Sequence, residues 1–184
     1  DILSCLDTFY MDKDNIFLLD GFNRIEESHR HHSNLMCIYP LMTLQCGNGK
    51  NSEIIERNLV RLEKLGTGQW VGFSFAWFSA LASMNYSANR ALFALQTFCR
   101  CFLAENGFHL NGDFKRYGVS CSHYHPFTLE ANFVFCDAVH KMLLQDHEGF
   151  LHIFPCLPAE WKSKTISFKL RACGNLLIEA HYRN

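Results

Sequence analysis

Several features that would assign a sequence of 184 residues to a familiar class are missing here. There is no charge excess: 17 Lys and Arg stand against 18 Asp and Glu, so neither nucleic acid nor an anionic membrane surface is an expected partner. There is no long apolar run either. Residues 71–81 come nearest, but Ser74 and Ser79 interrupt them and the stretch is too short for a bilayer. The start, Asp1-Ile2-Leu3, lacks the basic, apolar and small-residue order of a secretory leader, so the sequence leaves localisation open. It also lacks an initiating methionine, as a fragment or a processed piece does.

The cysteines lack the order of a disulfide framework. There are nine, an odd number at irregular spacing, with no C-x-x-C pair. Cys37, Cys99 and Cys136 lie inside apolar helical patterns, where a thiol is expected to act as a small buried hydrophobe. Cys99 and Cys101 are two apart and point to different faces of a helix. This usage fits a reducing or anaerobic setting better than an oxidising one. No repeat of the solenoid kind is present.

What is present is mostly helical. Hydrophobic residues make up 48% of the chain and 17 are phenylalanine, enough for one aromatic-rich core. Ser33 is placed to cap a short helix that Pro40 ends. Ile55, Leu59, Leu62 and Leu65 recur at helical spacing in a segment opened by Ser52 and stopped by Gly66. Residues 71–84 are apolar on nearly all sides and predict a buried helix. Ser87 can cap a third helix running to Gly107, and a fourth is expected over 128–145. Between them, 107–126 has no periodicity, and loops of that length are usually functional or mobile. After Gly149 the period becomes alternating, predicting strands over 150–154, 166–170 and 176–180. Helices first and strands afterwards imply segregated α and β parts, and paired helices joined by long loops suit a helical toroid.

Polar chemistry concentrates in two places, 29–34 and 121–130, each directly before a helix. Glu130 stands among Phe127, Leu129, Phe133 and Phe135, an apolar setting that suits acid–base work; it is equally an ordinary helix start meeting the positive end of the dipole. His29, His31, His32, Cys121, His123 and His125 are all zinc-ligand types, but no carboxylate–His pair has a familiar metal spacing, so no metal or cofactor is expected. Cys121 near two histidines carries no mark of a thiolate nucleophile. Glycoside hydrolysis fits the residue types best. Arg30 and His31 supply donors for sugar hydroxyls, Trp70 and Tyr124 supply ring faces, and Glu130 supplies one carboxylate. No second carboxylate is evident; Asp113 and Glu105 merely lie near the long loop. The histidine cluster also reads as a capped helix start with exposed imidazoles.

Four motifs then carry a resemblance. Ser28-His29-Arg30-His31-His32-Ser33-Asn34-Leu35, continuing to Tyr39-Pro40, resembles the H-R-H-x-S-H-L-x-x-x-Y-P motif of glycoside hydrolase family 95, the α-L-fucosidase and α-L-galactosidase family. Gly72-Phe73-Ser74-Phe75-Ala76-Trp77 is similar to its G-W-S-x-A-W helix, and Pro126-Phe127-Thr128-Leu129-Glu130-Ala131-Asn132-Phe133 to its P-F-x-x-D/E-G-N-F motif. The run from Met142 to Gly149, with Ile153-Phe154-Pro155 and Leu157-Pro158-Ala159-Glu160-Trp161, resembles the segment that leaves the family's barrel.

The resemblance implies a mainly α fold: residues 1–149 as the C-terminal part of an (α/α)6 barrel, and 150–184 as the first strands of a β-domain. It implies an inverting glycosidase acting on terminal α-L-fucosyl or α-L-galactosyl groups of a glycan. A glutamic acid protonates the leaving oxygen, and a carboxylate works through paired asparagines to activate water. Glu130 aligns with that second carboxylate, Arg30 and His31 with sugar contacts, and Asn132 is a further substrate-binding candidate. The acid and the paired asparagines lie upstream in the family, so the expected partner is the remainder of the same catalytic domain, and this polypeptide alone is not expected to be active. The departures are Asn34 for His, Phe73 for Trp, and Ala131 and Val134 for Gly. Glu130 where many members have Asp moves the carboxylate by about 1.5 Å, in a chemistry where roughly 6.5–9.5 Å between carboxyls holds one water. These departures keep a second reading open, a catalytically degenerate carbohydrate-binding protein of the same fold.

Overall fold

The structure, a computed structural model, describes residues 9–44, 46, 49–147 and 149–184. The start at Asp1 and residue Glu148 of the expected helix-ending turn lie outside the described residues. Four helices dominate: α1 (Gly49–Leu65), α2 (Gly72–Met84), α3 (Ala88–Phe102) and α4 (Glu130–Leu143). They are followed by β1 (Leu144–Gln145), β2 (His152–Ile153), one helical turn α5 (Ala159–Lys162), β3 (Ile166–Ala172) and β4 (Leu176–Tyr182). The chain is mainly helical with a few short strands, consistent with part of a helical barrel.

Helix α2 is the centre, and α3 and α4 pack on it. All its residues but Phe73 are buried, and its polar side chains are all serines, two of them bonded. Ser74 accepts from the Val71 N–H at 3.1 Å and donates to the Arg30 carbonyl at 2.6 Å. Ser83 donates back to the Ser79 carbonyl. Helix α1 buries Ile55, Leu59 and Leu62 of the expected spacing together with Ile54, while Leu65 is only half-buried, and it stops at Gly66 in the left-handed region (φ 80°). It begins before Ser52, whose hydroxyl instead donates to Asn85 at the end of α2. Arg90 of α3 ties back to α1 through Glu56 and Glu63. Tyr39 joins the preceding segment to the bundle, its hydroxyl donating to Asp137 and its carbonyl accepting from the Trp77 indole.

Several boundaries differ from the sequence expectation. The short helix after residue 33 is a 3-10 turn (Ser33–Leu35) with His32, not Ser33, at its cap position. Helix α3 ends at Phe102 rather than Gly107, because Leu103 turns extended and the chain reverses, with Ala104 N–H bonded to the Phe108 carbonyl and Gly107 at φ 80°. Leu144 and Gln145, expected in the fourth helix, are extended and pair with Ile153 and His152, so the expected 150–154 strand shrinks to two residues. The turn at Pro158 opens a helical turn. The last two strands form as expected and pair antiparallel, with Phe168 opposite Ala180 and Leu170 opposite Ile178. Their hairpin packs on Leu144 of β1, which forms a small cluster with Phe168 and Ala172.

Cys37 is buried as expected, whereas Cys99 and Cys136 are exposed: each lies on the outward side of its helix, where the apolar pattern continues to the surface. Among the described residues no helix is long and apolar enough to cross a membrane.

Candidate active site

The ends of two helices and two connecting segments meet at an open cleft of about 230 Å³. Arg30 and His31 come from the segment before α1, Val71 and Phe73 from the start of α2, Asn111 from the long α3–α4 connection, and Glu130 from the first residue of α4. Three of the expected site residues, Arg30, His31 and Glu130, thus share one cleft although up to 100 positions separate them in the 184-residue chain.

Arg30 and His31 are placed by their neighbours. Ser28 donates to the Gly66 carbonyl at 2.8 Å and accepts from the Gln69 N–H at 2.9 Å. The Arg30 carbonyl is held by Ser74, and His32 contacts the Ser74 carbonyl through Nε2 at 3.2 Å. His32 is fully buried between the Trp70 ring (4.8 Å) and the Trp77 ring (5.5 Å). Burial pushes its imidazole down to about 4, against a weaker upward pull from the Ser74 carbonyl. With Ser28 and His32 pinned inward, Arg30 and His31 stay exposed. His31 meets His29 edge-on at 5.4 Å, and partial burial, then the Arg30 and His29 charges, lower its pKa.

Glu130 sits at the N-terminal end of α4, where backbone N–H groups and the helix dipole favour a carboxylate. Its setting is not the apolar enclosure expected from sequence. Phe127, Leu129 and Phe133 are 52%, 39% and 65% exposed, so they flank Glu130 on the surface. Nor does Thr128 cap the helix: Leu129 is at the cap position with no side-chain bond. Thr128 serves His109, whose Nδ1 lies 2.9 Å from its carbonyl and 2.8 Å from its hydroxyl. His109 is fully buried and stacks on Phe98 at 5.4 Å; burial lowers its pKa, opposed by the Thr128 carbonyl and the Glu130 charge. Its ring lies over the first turn of α2, where a Cβ on Gly72 would stand 2.2 Å from Nε2. Glycine is therefore needed there.

The remaining expected contacts are engaged elsewhere. Asn132 uses both ends of its amide on backbone, Oδ1 accepting from the His109 N–H and Nδ2 donating to the Gly107 carbonyl, each at 2.9 Å. Trp70 is 3% exposed and enclosed by His32, Phe75 and Phe78, so it presents no open face. The ring in the cleft is Phe73. Tyr124 is half-exposed at the margin, its hydroxyl accepting from Asn111 Nδ2 at 3.0 Å. Asp113 is excluded as a second cleft carboxylate, because it is fully buried and accepts from the N–H groups of Tyr117, Gly118 and Val119. Glu105 is exposed and does not line the cleft. Among the described residues, Glu130 is the single carboxylate lining it, and no group of three or more His, Cys, Asp or Glu is arranged to hold a metal ion.

Asn111 and Phe73 were not singled out by sequence reasoning. Phe73 was visible only as a departure from a motif, and Asn111 only by its place in a long polar loop.

Residues 17–143 match the glycosyl hydrolase family 95 catalytic domain. The chain is 28% identical over 159 residues to Alpha-L-fucosidase 2 of Arabidopsis thaliana, an alignment covering 86% of this chain and 18% of that protein. It is 27% identical over 163 residues to Probable alpha-fucosidase A of Aspergillus niger, covering 80% and 19%. The chain therefore spans less than a fifth of the length of these curated relatives.

Proposed function

The chain belongs to glycosyl hydrolase family 95, and from that premise we propose that it forms one wall of the active site of an inverting glycosidase that removes terminal α-L-fucosyl, or related α-L-galactosyl, groups from glycans. The supporting observation is the convergence of Arg30, His31 and Glu130 on one open cleft. Inversion needs a carboxylate to activate water on one face of the sugar and an acid to protonate the leaving oxygen on the other. Glu130 is the base-side carboxylate, and Arg30 and His31 donate to sugar hydroxyls. The acid comes from a part of the catalytic domain that this chain does not include, so residues 1–149 work as part of a barrel and 150–184 open a β-domain.

A second reading, a carbohydrate-binding protein that has lost catalysis, is favoured by Glu130 being the single carboxylate that lines the cleft among the described residues, and by its departure from Asp. Hydrolysis of a terminal α-L-fucoside by the intact protein, abolished by Glu130→Gln with thermal unfolding unchanged, supports the enzyme. Parental turnover by the Gln variant overturns the role given to Glu130. Fucoside binding without turnover in the parental protein selects the binding reading.

A further inference from the structure

Asn111 is a built feature of the cleft wall. Its backbone N–H donates to the Pro126 carbonyl at 3.2 Å, and Leu110 bridges Phe127 antiparallel. One residue on, Gly112 passes so close to the returning chain that a Cβ there would lie 2.1 Å from the Tyr124 carbonyl oxygen. Asp113 N–H then bonds to the Ser122 carbonyl at 2.8 Å, and the buried Asp113 carboxylate gathers three amides of the loop beyond. Two strands of the connection are therefore held in register, and the register puts Asn111 beside Tyr124.

The side chains use that proximity. An asparagine amide has two N–H donors and a carbonyl acceptor. One N–H of Asn111 goes to the Tyr124 hydroxyl at 3.0 Å. Among the described residues Oδ1 has no hydrogen-bond partner, on a residue lining the cleft with Arg30, His31 and Glu130. A sugar hydroxyl both donates and accepts, so an amide acceptor and a guanidinium donor lining one cleft match it, where an ether or a deoxy position satisfies only one or neither.

We propose that Asn111 is a sugar-positioning residue of this cleft, accepting a hydrogen bond from a ring hydroxyl through Oδ1, and that Tyr124 acts through Asn111 rather than by touching the sugar. The proposal rests on the reading of the cleft as a sugar site. It reassigns Tyr124 from a ring face to the group that locks the amide.

The test is a double-mutant cycle in the intact protein, read as kcat and KM on a terminal α-L-fucoside and as L-fucose affinity by calorimetry. Asn111→Ala is expected to lower kcat/KM on the order of tenfold, mainly through KM, and to weaken L-fucose binding by a similar factor. Tyr124→Phe removes only a hydroxyl from a half-exposed ring; it is expected to cost several-fold alone and nothing further once Asn111 is Ala. Parental KM and L-fucose affinity in Asn111→Ala overturn the proposal. A full Tyr124→Phe effect in the Asn111→Ala background overturns the acting-through part. Glu130→Gln separates this from the wider reading. An inactive Gln variant beside an unaffected Asn111→Ala variant refutes the Asn111 role alone, whereas a fully active Gln variant refutes the mechanism assigned to the cleft. If the parental protein binds L-fucose without turnover, the same cycle read as affinity decides the proposal.

Discussion

The backbone N–H of His109 donates to Oδ1 of Asn132 at 2.9 Å, tying the reversal after α3 to the first turn of α4. The imidazole of the same histidine grips Thr128 on the other side of Glu130. The carboxylate proposed to activate water is thus positioned from both flanks by a buried residue that does not itself line the cleft.

Removing the amide from this clamp exposes its cost. Asn132→Ala leaves the His109 N–H and the Gly107 carbonyl without their partner, and is expected to destabilise the protein by about 1–3 kcal/mol. Asn132→Asp keeps the acceptor for His109 and loses the donor to Gly107, so its loss should be smaller. Denaturant midpoints of the three proteins provide the measurement; equal stability of the Ala variant contradicts the clamp.

Gly72 is the second check on the same region. Alanine normally favours a helix over glycine by up to about 1 kcal/mol. Here its Cβ would fall 2.2 Å and 2.5 Å from His109 ring atoms and 2.9 Å from Phe102 Cβ. Overpacking of that kind costs about 1–3 kcal/mol, so the clash should win and Gly72→Ala should lower the melting temperature. Shortening His109 to Ala relieves the contact, so the double variant should lose clearly less than the sum of the two single losses.

His32 predicts an acid limb of the stability curve. Its folded pKa, about 4, lies below the ordinary 6.5, so between those values the unfolded chain binds more protons than the folded one. Stability from this group is complete above pH 6.5, falls as pH drops toward 4, and changes no further below that. The shift corresponds to about 3 kcal/mol over the window. The lowered pKa values of His31, His109 and His140 add in the same direction. Urea midpoints from pH 4 to 7.5 should therefore rise with pH, and less steeply in His32→Phe, which keeps a ring between Trp70 and Trp77.

Trp70 and Phe73 should behave oppositely. Trp70 is 3% exposed, so Trp70→Ala opens a core cavity and is expected to cost about 3–5 kcal/mol. Phe73 lines the cleft, and Phe73→Ala should cost less stability while raising KM for the fucoside. Thermal unfolding and steady-state kinetics on both variants separate the roles. A stable Trp70→Ala variant with a KM defect would return Trp70 to the sugar.

How far the sequence could be read depended on whether the signal was local. Helix α1 was legible because Ile55, Leu59 and Leu62 repeat at the helical period, and β3 and β4 because alternation needs only neighbours. Helix ends were less legible. Leu144 and Gln145 leave α4 because Ile153 and His152 come back to pair with them, and Phe102 ends α3 because the chain reverses to bond it to Leu110. Those partners are distant or lie beyond the window of a periodic pattern.

The cleft divides in the same way. Motif order by itself pointed to Arg30, His31 and Glu130 as candidates, because side-chain type and local spacing are properties of the chain. Only the tertiary structure decided which residues face the opening. It buried Trp70 and committed Asn132 to backbone, since an indole and an amide go where apolar contact and unpaired N–H and carbonyl groups are found. It also brought Asn111 to the wall, through the close passage of Gly112 against Tyr124, a contact between chain segments that no local pattern encodes.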